Sequence, residues 1–272
     1  MTLLSVVGKD LLTSPYDLCV IPEKEIWVVS DEANGVAIFN ANGQLIKKIE
    51  RAAEAGSVCY DSKDKQIVVT VARQPTGDPV VIQFYDLNDF AFVREILIPA
   101  NPEIKPGYIR WITYSKDEDC YFLAYGDSKQ ACLWKLYKNP DRWSLIQTLS
   151  GDLSHPVCLQ KNLILITQWD ETNEWTVKIL EIKNEKISGE TLVTKSTANI
   201  LEPWSCGAGD DFITVYDYQS GNIFIFDLVT LKMQRKLGNV GAGQWVSMAV
   251  RDKEIYVSCS DERLIYVFRV IE

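Results

Sequence analysis

Ile26-Trp27-Val28-Val29-Ser30-Asp31, the polar turn Glu32-Ala33-Asn34-Gly35, and Val36-Ala37-Ile38-Phe39-Asn40 decide the fold. Two β-rich apolar runs flank a short turn carrying Asn-Gly, the pattern of an antiparallel hairpin. The second run ends in an aromatic followed by a polar residue, and that ending, with an aromatic or Leu before the polar residue, recurs. It returns as Phe84-Tyr85-Asp86, Leu133-Trp134-Lys135, Ile179-Leu180-Glu181, Ile225-Phe226-Asp227 and Val267-Phe268-Arg269. The residues before the polar one (39, 85, 134, 180, 226 and 268) are spaced 46, 49, 46, 46 and 42 apart, giving six units. A period in this range marks a repeat architecture.

Each unit holds more than the hairpin. Upstream lies a shorter strand of smaller residues: Asp17-Leu18-Cys19-Val20, Ser57-Val58-Cys59-Tyr60, Arg110-Trp111-Ile112-Thr113, Pro156-Val157-Cys158-Leu159, Trp204-Ser205-Cys206-Gly207 and Trp245-Val246-Ser247-Met248. Downstream comes a strand with charges, such as Leu45-Ile46-Lys47-Lys48-Ile49 or Met233-Gln234-Arg235-Lys236-Leu237. Charges suit an outermost strand because they discourage edge-to-edge association. The middle runs are apolar on both faces, as expected of a sheet covered on both sides.

Four strands per unit, six units and no helical pattern predict an all-β, six-bladed β-propeller. It is read as one domain, 1–272, with blades near 14–52, 53–100, 101–150, 151–195, 196–241, and 242–272 plus 1–8. The sixth unit stops after its third strand. Leu3-Leu4-Ser5-Val6-Val7-Gly8 is expected to supply the missing fourth and close the ring, which also accounts for an apolar N-terminus with no basic leader.

Composition bounds the rest. The 272 residues carry 28 Lys+Arg against 37 Asp+Glu, a net charge of −9, which argues against nucleic-acid binding through overall charge. Aromatic residues are abundant (8 Trp, 12 Tyr, 9 Phe), in keeping with strands. His155 is the single histidine, which removes most acid–base schemes. Seven cysteines, an odd number with no C-x-x-C, read as reduced thiols in a cytoplasmic protein, with the nucleus as an alternative. No apolar run is long enough for a membrane-spanning helix.

The first unit, from Pro15-Tyr16-Asp17-Leu18 through Trp27-Val28-Val29-Ser30-Asp31 and Asn34-Gly35 to Phe39-Asn40-Ala41-Asn42-Gly43, resembles an NHL repeat. The outline returns in Asp217 to Asn222-Ile223-Phe224-Ile225-Phe226-Asp227 and in Asp261 to Leu264-Ile265-Tyr266-Val267-Phe268. The resemblance is closest in the first, fifth and sixth units. It implies a propeller used as an interaction module, with protein or single-stranded RNA as partner. The RING, B-box and coiled-coil segments that precede such propellers in tripartite-motif chains are not found, so no ubiquitin-ligase role is expected.

Several constellations read as structure. Cys19, Cys59, Cys158 and Cys206 read as coinciding positions on the innermost strands of four units, with Ser247 in the equivalent place in the last. Crowding near a propeller axis selects small residues, and structural zinc sites favour close Cys pairs, so no metal is assigned. Asp31, Asp127, Asp170, Asp217 and Asp261 recur near the ends of second strands, where short carboxylates cap turns. Gly241-Ala242-Gly243 lacks the strand–turn–helix setting of a phosphate loop. The candidate partner-binding set is Tyr16, Tyr108, Arg110, His155, Trp204 and Trp245, aromatic and Arg-bearing, at the starts of first strands.

The expected function is a non-enzymatic scaffold presenting one face to a protein or peptide, with no cofactor and no DNA or membrane partner. The alternative is stacking of single-stranded RNA on the same residues. A lactonase-like metal hydrolase ranks below both, since the first strands offer Cys, Ser, Ile and Gly rather than metal-binding carboxylates.

Overall fold

The computed structural model describes residues 2–72, 80–99, 109–126, 129–160, 162–169, 174–193, 200–238, 240 and 246–270. Among them run twenty-four strands. The first blade is β2 (Pro15–Ile21), β3 (Ile26–Asp31), β4 (Gly35–Asn40) and β5 (Leu45–Ile49). The second is β6 (Ala55–Asp61), β7 (Gln66–Ala72), β8 (Val80–Asp86) and β9 (Phe92–Leu97). The third is β10 (Ile109–Ser115), β11 (Cys120–Gly126), β12 (Gln130–Tyr137) and β13 (Arg142–Ser150). The fourth is β14 (Asp152–Cys158), β15 (Leu163–Trp169), β16 (Trp175–Lys183) and β17 (Lys186–Leu192). The fifth is β18 (Pro203–Ala208), β19 (Phe212–Asp217), β20 (Asn222–Asp227) and β21 (Met233–Leu237). The last is β22 (Val246–Arg251), β23 (Glu254–Cys259), β24 (Leu264–Arg269) and, from the other end of the chain, β1 (Thr2–Val7). This is an all-β, six-bladed propeller with four antiparallel strands per blade.

Residue choice explains the layering. All six residues of β3, all seven of β11 and all six of β19 are buried, so these second strands need apolar or hydrogen-bonded small side chains on both faces. The turn after β3 places Gly35 at φ +87°, where a Cβ would run into the carbonyl of Ile49, so glycine is required there. Outer strands are half wet, and each of the six joins its neighbour through one irregularity of the bulge kind. Bulges add local twist and interrupt the edge.

The chain divides into two compact units, Met1–Val58 with Asn199–Glu272, and Cys59–Ala198. In the first, Trp27 and Tyr256 meet edge to face at 5.3 Å inside a cluster with Val7, Leu18, Phe39 and Ile265. A second cluster there gathers Phe212, Tyr216, Ile225, Met248 and Val257. In the other unit Val68, Ile82, Phe84, Tyr121 and Leu123 form a core of their own.

The predicted closure of the last blade is present. Thr2, Leu3, Ser5, Val6 and Val7 pair with Arg269, Phe268, Val267, Tyr266 and Ile265. Of the side chains of β1 only Val7 is buried. The strand is therefore held by its ladder and one anchor. Deleting residues 1–8 forfeits these hydrogen bonds and uncovers the apolar contacts of Val7, a loss of about 3 kcal/mol or more. The expected drop in melting temperature is about 6–12 °C by circular dichroism; an unchanged midpoint would show that β1 does not stabilise the last blade.

Candidate functional site

The innermost polar residue of the first blade is Asp17, fully buried in β2. A buried carboxylate is stable only when its lone pairs are met. Its Oδ1 accepts from the Ser247 hydroxyl at 2.6 Å and the Leu18 N–H at 2.7 Å. Its Oδ2 accepts from the Ser57 hydroxyl at 2.5 Å and the Val58 N–H at 2.9 Å. The Asp17 N–H donates to Ser30 Oγ at 2.9 Å, and the Ser30 hydroxyl donates on to the Gly56 carbonyl. One carboxylate thus ties β2 to β22 and to the start of β6.

Register corrects the cysteine reading. Counted across each blade to its landmark aromatic, Ser247 and Ser205 are level with Asp17. Cys19, Cys158 and Cys206 lie on three different rungs, paired with Val28, Ile164 and Val215. Burial pushes the thiols of all three well above the ordinary range, and Asp17 adds to this at Cys19. These thiols stay protonated and act as small apolar side chains. Among the described residues no group of three or more His, Cys, Asp or Glu is placed to hold a metal ion.

The turn-capping carboxylates do what short acids do. Asp31 accepts from the N–H groups of Thr13 at 2.8 Å and Ser14 at 3.0 Å. Asp217 accepts from those of Leu201 at 3.0 Å and Glu202 at 2.7 Å, and from Ser220. Each fastens the segment entering its blade to the end of the second strand. Asp127 and Asp170 lie outside the described residues.

That strand end is where the candidate partner-binding set was expected. Tyr108 and Trp245 lie outside the described residues, and Arg110 and His155 are placed by backbone alone, in β10 and β14. Tyr16 is 7% exposed and belongs to the core, so it offers little to a partner. Trp204 is half-buried, tilted against Tyr218 with ring centroids 5.9 Å apart, both packed on the core cluster of their unit. A pair that sequence reasoning missed sits at the corresponding end of the fourth blade. Trp169 and Trp175 are opposite each other across β15 and β16 and stack at 5.9 Å with an interplanar angle of 14°. Both are half-buried. The signal was present as two Trp flanking the turn Asp170-Glu171-Thr172-Asn173-Glu174, a spacing that puts them face to face on adjacent strands.

Charge concentrates elsewhere, around Lys138 just after β12. Its side chain is 3% exposed, and its Nζ lies 2.8 Å from Asp61, 2.8 Å from Asp64 and 2.7 Å from Asp119. The Tyr121 hydroxyl donates to Asp61 and the Tyr114 hydroxyl to Asp119, the latter at 2.9 Å. The ammonium also faces the Tyr114 ring at 5.3 Å. Burial alone would lower the Lys138 pKa, but the hydrogen bonds that its ammonium donates to three carboxylates raise it instead. Burial likewise favours neutral Asp119, yet Lys138, Lys63 and Tyr114 hold it down at about 2. Asp61 is lowered by Lys138 and Tyr121 against the same desolvation. Lys138 and Asp61 form the buried centre of the cluster, and Asp64, Asp119 and Lys63 lie on its more exposed rim.

An open groove of about 290 Å³ is lined by Leu4, Glu25, Trp27, Arg251, Glu254 and Tyr256. The Glu254 carboxylate accepts from Tyr256 at 2.7 Å and from Arg269 at 2.6 Å, which outweighs burial and lowers its pKa.

Two stability measurements separate these roles. Asp17→Ala removes the acceptor of two buried hydroxyls and two N–H groups, so urea unfolding is expected to show a loss of about 3–5 kcal/mol. Ser205→Ala, on the same rung but with an Oγ that has no protein partner, is expected to stay within about 0.5 kcal/mol; equal losses would refute the assigned roles. In the Lys138 cluster, depressed carboxylate pKa values add stability that is complete above the ordinary value near 3.8. That stability is lost as pH falls from about 4 toward 2. Lys138→Met removes the cation the carboxylates surround, costing about 3–5 kcal/mol near neutral pH. The acid loss between about pH 4 and 2 then flattens, because protonation relieves the unpaired carboxylates. An unaltered acid limb would exclude Lys138 as its cause.

No protein-family profile matches the chain, and no curated protein matches it in sequence. Solved structures do share its fold. A gluconolactonase from Xanthomonas campestris is similar with a TM-score of 0.72 at 10% identity, over 97% of this chain and 89% of that one. A glucose dehydrogenase is similar with a TM-score of 0.71 at 12% identity, over 100% and 99%. The β-propeller domain of Cps50 (Swd1) from Myceliophteria thermophila is similar with a TM-score of 0.67 at 10% identity, over 95% and 98%. Two structures with enzyme names and one described as a β-propeller domain thus stand side by side, and at such identities the likeness establishes the propeller fold alone.

Proposed function

We propose that this propeller is a non-enzymatic interaction scaffold that presents the strand-end aromatics of its blades to a protein or peptide partner. The observation that carries this reading is the Trp204–Tyr218 pair. Two large rings lie against each other at a blade end, half exposed and backed by a core cluster. Aromatics braced from behind lose little side-chain freedom on binding and make effective anchors. Trp169 and Trp175 repeat the composition at the corresponding end of the fourth blade.

The polar inner strands favour the same reading. The Asp17 carboxylate is occupied by four donors of the protein itself, and the thiols of Cys19, Cys158 and Cys206 are held protonated by burial. Groups committed in this way serve packing rather than turnover. The resemblance of the first, fifth and sixth units to NHL repeats, which serve as interaction modules, points in the same direction.

Capture from lysate with quantitative mass spectrometry tests this, using the wild-type chain, Trp204→Ala and the double variant Trp169→Ala/Trp175→Ala. At least one partner is expected to fall about fivefold or more with Trp204→Ala, the cost of losing a modest hot spot. The melting temperature should stay within about 3 °C, so that the loss is not one of folding. Retention of every partner by both variants would place the binding surface elsewhere. Partners that vanish on ribonuclease treatment would transfer the reading to RNA, and turnover of a lactone or sugar by the purified chain would end the scaffold reading.

A further inference from the structure

Six outer strands leave six blade edges, and five carry charge. Lys47 and Lys48 lie in β5, Arg94 and Glu95 in β9, Arg142 in β13, Lys186 and Glu190 in β17, and Arg235 and Lys236 in β21. The sixth outer strand, β1, reads Thr-Leu-Leu-Ser-Val-Val and carries none. Its Leu3, Leu4 and Val6 are 48%, 43% and 45% exposed, three large apolar side chains on six residues. Each other outer strand exposes one or two. Bulges do not explain the difference, since all six outer pairings have one. Lysine, arginine and glutamate oppose strand addition because closing an edge over them removes water from their charges. At β1 that opposition is missing. One edge of β1 pairs with β24, and among the described residues no strand pairs with the other.

We propose that β1 is a self-association edge, on which β1 of a second copy pairs antiparallel about a two-fold axis to join two last blades into one eight-stranded sheet. The occupant follows from charge. Two-fold pairing sets β1 against β1, so no charged side chain is opposed or buried. Pairing β1 with any of the other five outer strands would place Lys, Arg or Glu against Leu and Val. Ser5, Val6 and Val7 keep consecutive register with β24, which leaves the strand regular beyond the bulge at Leu4. A strand of this length spans about 20 Å, and the contact falls below the ~1,000 Å² of a stable interface. The dimer is therefore weak. Each copy brings a charge of −9, so repulsion opposes association and salt screens it. Association consequently strengthens with salt, the reverse of an interface built on ion pairs.

Sedimentation velocity of the full chain from about 0.01 to 1 mM, in about 50 and 500 mM sodium chloride, tests the proposal. A monomer–dimer equilibrium with a dissociation constant on the order of 0.1–1 mM is expected, tightening severalfold at the higher salt. Leu4→Lys and Val6→Lys should each weaken it about tenfold or more, while Met233→Lys in β21 leaves it unchanged. If a lysine variant does not fold, hydrogen exchange of the wild type at the two protein concentrations gives the same reading. Protection should then rise with concentration in residues 2–7 and in no other outer strand. A monomer throughout, a dimer that weakens with salt, a dimer indifferent to the β1 lysines, or protection arising on another edge would each overturn the proposal.

Discussion

A buried carboxylate with four donors is the constraint on which the inner strands depend. Asp17 puts a charged side chain on the rung it shares with Ser205 and Ser247, and its oxygens reach the blade before it and the chain entering the blade after it. Apolar packing between small inner-strand residues is weakly directional, so it does little to fix how adjacent strands slide. A carboxylate bonded in two directions does fix it, because a one-rung slip would leave hydroxyls and an N–H unpaired away from water. Asp31 and Asp217 repeat the device at blade ends, fastening the entering segment to the hairpin it precedes.

Much of the architecture was legible because it is written in local chemistry. Runs apolar on both faces, Asn-Gly at the first hairpin, and the recurring ending of an aromatic or Leu before a polar residue depend on near neighbours, and each reappears as a strand or turn. The pairing of Leu3–Val7 with the last unit was also legible, since a missing fourth strand and an unexplained apolar one fit only each other. Register was not. Cys19, Cys158 and Cys206 look equivalent by position along the chain, but the turns between strands differ in length from blade to blade and leave the three on different rungs. The role of Asp17 was hidden for the same reason: its partners Ser57 and Ser247 are 40 and 230 residues away.

The candidate surface was only partly legible. Trp204 is half-buried against a core cluster and Tyr16 lies in the core, because sequence gives the strand on which a side chain sits but not how deeply its blade end is covered. Trp169 and Trp175 escaped because their meeting depends on cross-strand register rather than on either residue alone. Solved propellers with sugar-related enzymatic names and one without match this backbone about equally well. The blades are a frame, and differences of function reside in side chains that such a comparison does not weigh.

The partnership of β1 with β24 has a temporal meaning as well as a structural one. Thr2 and Arg269 are neighbours in the sheet and lie almost a whole chain apart in sequence. On a ribosome β1 is made well before β24, and until β24 emerges β1 has no ladder to join. During that interval an uncharged, apolar strand is in solution without the gatekeeping charges of the other outer strands. The last blade is thus the slowest to complete and the segment for which a chaperone would have most to do.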